Sequence, residues 1–385
     1  MLATLSTVPK IKRFYNLVSI LGSGYVQVGK FDIGPIFSTL GYNDVEGQRV
    51  RLGGRTYFGP NDPWRIQGYT AYGFKDDKIK YGINARVMLN KKNRFIVSLG
   101  NRRDVEQIGV SLTTSNDVLG RSFASSSFFS SGTNNKLTNV NLTNLGFEIE
   151  PVKNLVFESS FSYRTLSSAS SEFKLDYFTD NSYTSTSNKI TQSEVNFLVN
   201  YTPKRKMVGY GVDRIDVDLN YPRIFVSYSQ GLKGVFDSDF NYSKLQLYYR
   251  QPLLIGGFGR LFSTLEIGKT FGAVPLSLMG IIPGNQSYFI IDNTYNLLNY
   301  YDFVADQYTS LHLEHNFNGK LFARVPLLRK LNWREIIGVK AVYGSVSDEN
   351  IALNASGQSY QAPVNGYYEY SAGIGNIFKV MRIDG

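Results

Sequence analysis

The sequence predicts an all-β fold and, within that class, a transmembrane antiparallel β-barrel. Three observations carry the prediction. Ile79, Tyr81, Ile83, Ala85, Val87 and Leu89 alternate with Lys80, Gly82, Asn84, Arg86 and Met88, and successive strand side chains point to opposite faces, so the run has one apolar and one polar face. Tyr 27, Phe 26 and Trp 2 make 14% of the chain aromatic, a surplus suited to girdles at two lipid–water boundaries. Mean hydropathy is −0.19 and no apolar run reaches the roughly 18 residues of a spanning helix, which excludes a helical membrane protein. A soluble sandwich also alternates, but hides its apolar face against a second sheet.

The beat recurs along the chain. Runs at 50–58 and 64–72 precede 79–89, and 94–100 follows it. Leu155, Phe157, Phe161 and Tyr163 alternate with Glu158, Ser160, Ser162 and Arg164, and Val195, Phe197, Val199 and Tyr201 with Glu194, Asn196 and Asn200. Next comes 223–231, then Leu245, Leu247 and Tyr249 against Lys244, Gln246 and Arg250, then 260–270. Leu311, Leu313 and Phe317 face away from His312, Glu314 and Asn316, and 334–344 and 367–378 complete the series. Each run is about 8 to 11 residues, the length of a tilted membrane-crossing strand.

The unbroken texture reads as one domain, 1–385. Ile383-Asp384-Gly385 reads as a turn, so the expectation is a fragment lacking its closing strand. Lys10 to Arg13 followed by an apolar stretch imitates an export signal but runs straight into a strand. There is no cysteine, which rules out disulfides and thiolate metal sites. The net charge of +10 is scattered through strands and short segments such as Lys91-Lys92, Lys204-Arg205-Lys206 and Arg329-Lys330, which read as polar turns or contacts with anionic headgroups, not a nucleic-acid groove. Outer-membrane lipid is the expected partner, nucleic acid is not, and no cofactor is expected.

Connections fall into two lengths. Turn residues at 75–78, 90–93, 151–154 and 317–320 predict short turns on the periplasmic side. Long loops at 102–143, including the Ser-rich 125–135, and at 167–189, 270–307 and 348–365 would be extracellular. The third, with Pro283-Gly284-Asn285-Gln286 and the aromatics Tyr288, Phe289, Tyr295, Tyr300, Tyr301 and Phe303, is the candidate to fold back into the lumen.

Two stretches carry a resemblance. Gly34-Pro35, Tyr42-Asn43-Asp44-Val45-Glu46-Gly47, Arg49 and Arg51-Leu52-Gly53-Gly54-Arg55-Thr56 form the first. Asp306-Gln307-Tyr308, Glu314-His315-Asn316-Phe317-Asn318-Gly319, Pro326-Leu327-Leu328 and Trp333-Arg334-Glu335 form the second. They resemble a family of Gram-negative outer-membrane barrels that follow a carboxypeptidase-regulatory-like domain. Those barrels are similar to the surface-antigen superfamily of outer-membrane assembly factors and two-partner secretion translocators. The resemblance implies about sixteen strands, a place in the outer membrane, and work in transport, assembly or surface display. It also implies partners: a periplasmic domain of the same full-length protein, and exported or barrel proteins. The superfamily's loop motif of Val-Arg-Gly with an aromatic does not occur here, so an insertase mechanism is not implied.

The strand 49–58 places Arg49, Arg51 and Arg55 on the lumen face, because an arginine turned to lipid costs about 2–4 kcal/mol near the midplane. The favoured reading pairs them with inward carboxylates, for which Asp44, Glu46, Glu158, Glu194, Glu266 and Glu314 are candidates. The functional alternatives are an anion-preferring pore and an anchor for the periplasmic domain. His312 and His315 face opposite ways on one strand and cannot share a metal, and no nucleophile elbow or phosphate loop occurs, so the chain reads as non-enzymatic.

Overall fold

A computed structural model describes residues 24–59, 61–108, 133–180, 182–218, 220–287 and 291–385. The basic-apolar start of the chain, most of the Ser-rich loop, Tyr288 and Phe289 lie outside the described residues. Seventeen strands form one antiparallel sheet. β1 (Val26–Val28) and β2 (Phe31–Ile33) open it as a hairpin. Then β2 and β3 (Leu40–Asn43) lie end to end along β4 (Gly47–Thr56). Each further strand pairs with the one before: β5 (Trp64–Gly73), β6 (Lys78–Asn90), β7 (Phe95–Glu106), β8 (Thr138–Val152) and β9 (Leu155–Ser168). Outside this sheet, β10 (Tyr177–Phe178) and β11 (Thr186–Ser187) make a small hairpin. The series resumes at β12 (Lys189–Tyr201). A second small hairpin, β13 (Met207–Val208) with β14 (Ile215–Asp216), precedes β15 (Arg223–Gly231), β16 (Tyr242–Leu254) and β17 (Arg260–Phe271). A third, β18 (Gly280–Ile281) with β19 (Val304–Ala305), interrupts before β20 (Gln307–Asn316), β21 (Arg334–Ser345), β22 (Tyr367–Ile377) and β23 (Met381–Asp384).

The fold class read from the alternation is the one observed, with one difference. Among the described residues β23 does not pair with β1 or β3, so the sheet is left open along that seam. The sheet nevertheless curls round an interior, because residues 272–306 touch both Ile108, just past β7, and Glu369 on β22. Among the described residues no helix is long and apolar enough to cross a membrane.

Burial is inverted relative to a soluble protein. Leu52 is 64% exposed and Ile83 52% on the outer face, while Arg49, Lys80 and Arg102 are buried within. Such an outer face needs hydrocarbon as its solvent. The inversion stops partway along β8, β9 and β12. Below that point β8 turns Leu145, Phe147 and Ile149 outward; above it, Asn139, Asn141 and Thr143 point outward and Val140 and Leu142 are buried inside. Leu166 on β9 and Ile190 on β12 are buried beside them, and the register aligns Thr143, Tyr163 and Ser193 across the three strands. That line marks where the outer solvent changes from lipid to water.

Several sequence readings need correction. Strands reach 15 residues in β8 and 14 in β9, longer than the 8 to 11 expected, because these strands project beyond the lipid. Parts of the supposed loop 102–143 are therefore strand, in β7 and β8. The turn at 75–78 sits at the long-loop end, since an antiparallel meander must alternate ends and 90–93 lies at the other. The other long loops share one end as expected, although 348–365 contains a helix, α1 (Asp348–Leu353). At the short-turn end 317–320 only begins a longer connection, 317–333, and 203–206 belongs to the connection 202–222. Ile383 and Asp384 are in β23, not in a turn.

Charge tests the solvent boundary. Ile83→Arg, in the middle of the outward row of β6, is expected to cost about 2–4 kcal/mol of folding free energy in vesicles, and Asn141→Arg on the polar outward row of β8 under about 1 kcal/mol. Denaturant titration of vesicle-folded protein measures both, and equal costs would remove the boundary.

Candidate functional site

The interior begins with the turn between β3 and β4. The Asn43 side-chain oxygen accepts the backbone N–H of Val45 (3.1 Å) and Glu46 (2.8 Å), and its amide donates to Glu46 Oε2 at 2.6 Å. Gly47 follows at φ +66°, where a Cβ would stand 2.9 Å from that of Lys75. This turn aims Glu46 inward. Arg49 donates to Glu46 Oε1 at 2.7 Å and forks onto Asp104 of β7 at 2.8 and 2.9 Å, while the Tyr69 hydroxyl donates to Asp104 at 2.6 Å. Lys80 bridges Glu46 at 2.9 Å and Asp76 at 2.6 Å. Arg49 and Glu46 are 2% and 0% exposed, so each buried charge here is matched by an opposite one.

The three arginines do not form one cluster. Arg51 lies 4.0 Å over the Tyr69 ring and donates to Ser38 Oγ at 2.6 Å. Arg55 pairs with Asp32 of β2 at 3.0 Å and sits 4.0 Å over the Tyr25 ring. Gly53 keeps β4 close to the preceding strand, since a Cβ there would come within 2.7 Å of Gly34 O. Of the candidate carboxylates only Glu46 meets an arginine of this strand. Asp44 instead accepts the Asn134 backbone N–H at 2.6 Å. Glu158 lies opposite Glu148 in the β8–β9 register. Glu194 pairs with Arg164 at 3.2 Å and accepts the Tyr242 hydroxyl, Glu266 accepts that of Tyr308 at 2.7 Å, and Glu314 pairs with Arg382 at 2.7 Å.

Asp104 and Asp32 are the partners that sequence reasoning missed. Asp104 fell in a stretch read as loop, and Asp32 lay ahead of 50–58, the first run given bounds. The remaining motif residues shape the short-turn end. A ring nitrogen of His315 meets Phe258 O at 2.9 Å, Gly319 adopts φ +79°, and Pro326 starts a short helix, α2 (Pro326–Arg329). His312 contacts Ser310 Oγ at 3.1 Å. Among the described residues no three His, Asp or Glu side chains are placed to hold a metal.

Residues 272–287 and 291–306 fold inward from the long-loop end. Their first part joins an apolar core in which Val274, Leu276, Leu278, Met279, Tyr300 and Tyr301 pack with Val140, Leu142, Leu166 and Ile190. Burial raises the Tyr300 and Tyr301 phenol pKa values, so both stay neutral, and Tyr300 donates to Ile108 O at 2.5 Å. Deeper in, Tyr295 donates to Ala341 O at 2.7 Å, Lys340 to Thr294 O at 2.7 Å, and the N–H groups of Asn296 and Leu297 to the Glu369 carboxylate at 2.8 and 2.9 Å. A polar cavity of about 120 Å³ remains beside this stretch, between Arg250, His312, Lys340 and Arg382, room for a few waters.

The connection 202–222 folds inward from the opposite end. Asp213 binds Arg65 at 2.6 Å and Arg86 at 2.8 Å, Arg214 binds Glu150 at 2.6 Å, and Val212 is buried against Met88 and Ile96. Arg205, read from sequence as part of a polar turn or a headgroup contact, pairs internally with Asp216 at 2.6 Å.

A family profile described as "Family of unknown function (DUF5686) C-terminal domain" matches residues 23–351. Among solved structures, BamA from Haemophilus ducreyi lacking POTRA domains 1–3 is similar with a TM-score of 0.49 and 12% identity, over 89% of this chain and 63% of that one. CdiB from Acinetobacter baumannii gives 0.42 and 11% identity over 87% and 51%, and OccK3 (OpdO) from Pseudomonas aeruginosa 0.34 and 11% over 89% and 81%. The chain thus spans less than two thirds of the first two structures. No curated protein matches by sequence.

The Arg49 network makes a stability test. Arg49→Met leaves Glu46 and Asp104 short of their shared cation and is expected to lower stability by about 3–5 kcal/mol; Arg51→Met, losing a ring contact and a hydrogen bond to a neutral hydroxyl, by about 1–2 kcal/mol. Denaturant midpoints compare them, and an Arg49→Met cost no larger than that of Arg51→Met would deny the network a bracing role.

Proposed function

We propose that this chain, which belongs to the family of unknown function DUF5686, is a non-enzymatic barrel of the Gram-negative outer membrane that moves or assembles other polypeptides through an interior closed at rest. The supporting observation is the inward course of residues 272–287 and 291–306, held from the Ile108 carbonyl just past β7 round to the Glu369 carboxylate on β22. A passive anion pore would leave its arginines facing water, whereas Arg49, Arg51 and Arg55 are engaged with Glu46, Asp104, Ser38 and Asp32. In this reading the long-loop end is extracellular, as is usual for such barrels. The carboxypeptidase-regulatory-like domain implied by the resemblance would act from the periplasm.

The resting closure is tested in planar bilayers. The native chain is expected to conduct rarely, and replacement of residues 285–302 by a short Gly-Ser linker to give a steady current. Lys340→Ala with Glu369→Ala removes charge-assisted contacts worth about 1.5–3 kcal/mol each, so open time should rise about tenfold or more. Steady conductance of the native chain would return the pore reading. Depletion in the host is expected to lower the amounts of other barrels or exported proteins; if only a periplasmic domain is mislocalised, the chain is an anchor.

A further inference from the structure

Residues 317–333 carry the second family-like motif and contribute nothing to the interior. They project at the short-turn end as a compact excursion. Phe317 N–H donates to Glu335 O at 2.9 Å, the Phe322 N–H to the Glu335 side chain, and Ala323 N–H to Gly319 O at 2.8 Å. Gly319 has the positive φ this path requires, and a Cβ there would stand 2.9 Å from Trp333 O. The excursion is therefore shaped and pinned to β21, yet its own surface is left uncovered.

That surface combines two chemistries. Leu321, Val325, Leu327 and Leu331 are 40%, 46%, 75% and 45% exposed. Between them stand Lys320, Arg324, Arg329 and Lys330, all exposed, and no ion pair joins any of the four to a described carboxylate. Lys320 lies 5.5 Å over the ring of Phe258, in the turn after β16. Leu253 and Leu254 at the end of β16 and Ile255 and Phe258 in the turn are also exposed, so the apolar outer face of the sheet meets the excursion at the contact of Lys320 with Phe258. The other short-turn connections at this end add exposed Lys30, Lys91, Lys92, Lys153 and Lys379. Exposed aliphatic side chains interleaved with unpaired cations, continuous with a lipid-facing wall, match a membrane interface in which stems reach hydrocarbon and charges reach phosphate.

We propose that residues 317–333, with the turn after β16, form a foot that seats in the phospholipid leaflet at the short-turn end and selects anionic headgroups. This rests on the reading of the chain as membrane-spanning. The cations supply phosphate contacts, each strengthened near an anionic surface, and the leucines add buried apolar area. An acidic protein would meet the same cations, but the continuity of the apolar surface with the lipid-facing wall favours the membrane.

The chain contains two tryptophans, Trp64 and Trp333, so Trp64→Phe in the full chain leaves Trp333 as the reporter on the foot. The protein is folded into vesicles of phosphatidylcholine with a minor share of phosphatidylglycerol, one of the two lipids carrying brominated chains. Trp333 emission is expected to be quenched by brominated phosphatidylglycerol well beyond its bulk share, a local enrichment of about fivefold or more, reduced by salt. Arg324→Glu with Arg329→Glu and Lys330→Glu should abolish the enrichment while heat-modifiable mobility shows the sheet intact, and Lys233→Glu at the other end should leave it unchanged. Quenching in proportion to bulk composition, or enrichment surviving the triple reversal, overturns the foot while leaving membrane insertion standing. No quenching by either lipid from an inserted chain also overturns it, as would protection of Trp333 only when an acidic protein is added. Failure to insert at all would instead sink the membrane reading itself.

Discussion

A strand side chain that points outward here has one of two solvents, and the place where they change organises the molecule. Along β8 as far as Ile149, and along β9 and β12, the same parity of residues faces out, but its chemistry switches near Thr143, Tyr163 and Ser193. On the lipid side of that line the backbone has no water to bond, so every N–H and C=O needs a neighbouring strand. Outward charge is excluded there, and ionisable groups collect inside, where they must find one another. Arg55 with Asp32, Arg86 with Glu148, and Arg382 with Glu314 are the outcome. Buried pairs of this kind add little over well-packed apolar groups; they are what remains when charge has nowhere else to go. On the water side the logic reverts to that of a soluble protein, with Val140, Leu142, Leu166 and Ile190 turned inward.

The same boundary explains what could be read from the chain. In the lipid-facing part the alternation has high contrast, and β15 was located to the residue, with β5, β17, β21 and β22 within about a residue at each end. Where β7 and β8 leave the lipid, Asn139, Asn141 and Thr143 make the outward row polar while Val140 and Leu142 make the inward row apolar. A search for apolar-out, polar-in runs passes over such a stretch and reads loop. Asp104, on the projecting end of β7, was lost with it, and with it the main partner of Arg49. The inward aim of the three arginines was legible, since it follows from lipid cost alone. Their partners were not, because pairing across β4, β5 and β7 depends on register that no local pattern states. Connection lengths failed for a related reason: Asn318-Gly319 is a good turn signal, and only the geometry shows that the chain goes on through α2 before returning at β21.

The two inward segments are held by different physics. Residues 272–306 enter the half of the interior that is already apolar, so Leu276, Leu278, Met279 and Tyr301 complete a core with the strand side chains around them. The connection 202–222 enters the polar half, where Asp213 and Arg214 neutralise Arg65, Arg86 and Glu150 and Val212 packs against Met88 and Ile96. One closure is therefore largely hydrophobic and non-directional. The other is ionic and local.

That difference sets how an opening could proceed. Withdrawing all of 272–306 would expose several fully buried apolar side chains, each worth about 1.5–3 kcal/mol, a sum that thermal fluctuation does not supply. The contacts of Thr294, Asn296 and Leu297 with Lys340 and Glu369 are polar and lie at the inner end of the segment, next to a cavity able to hold water. Water can replace a hydrogen bond at small net cost, whereas it cannot replace a core contact. The inner stretch, where Tyr295 and Leu298 join only a smaller apolar cluster with Ile282 and Val342, is thus the part able to move first, with the larger apolar core acting as its fixed root. A partner that opens the interior must bind the displaced arrangement more tightly than the closed one, and the groups it would have to satisfy are the Lys340 ammonium, the Glu369 carboxylate and the Ala341 carbonyl uncovered beneath that inner stretch.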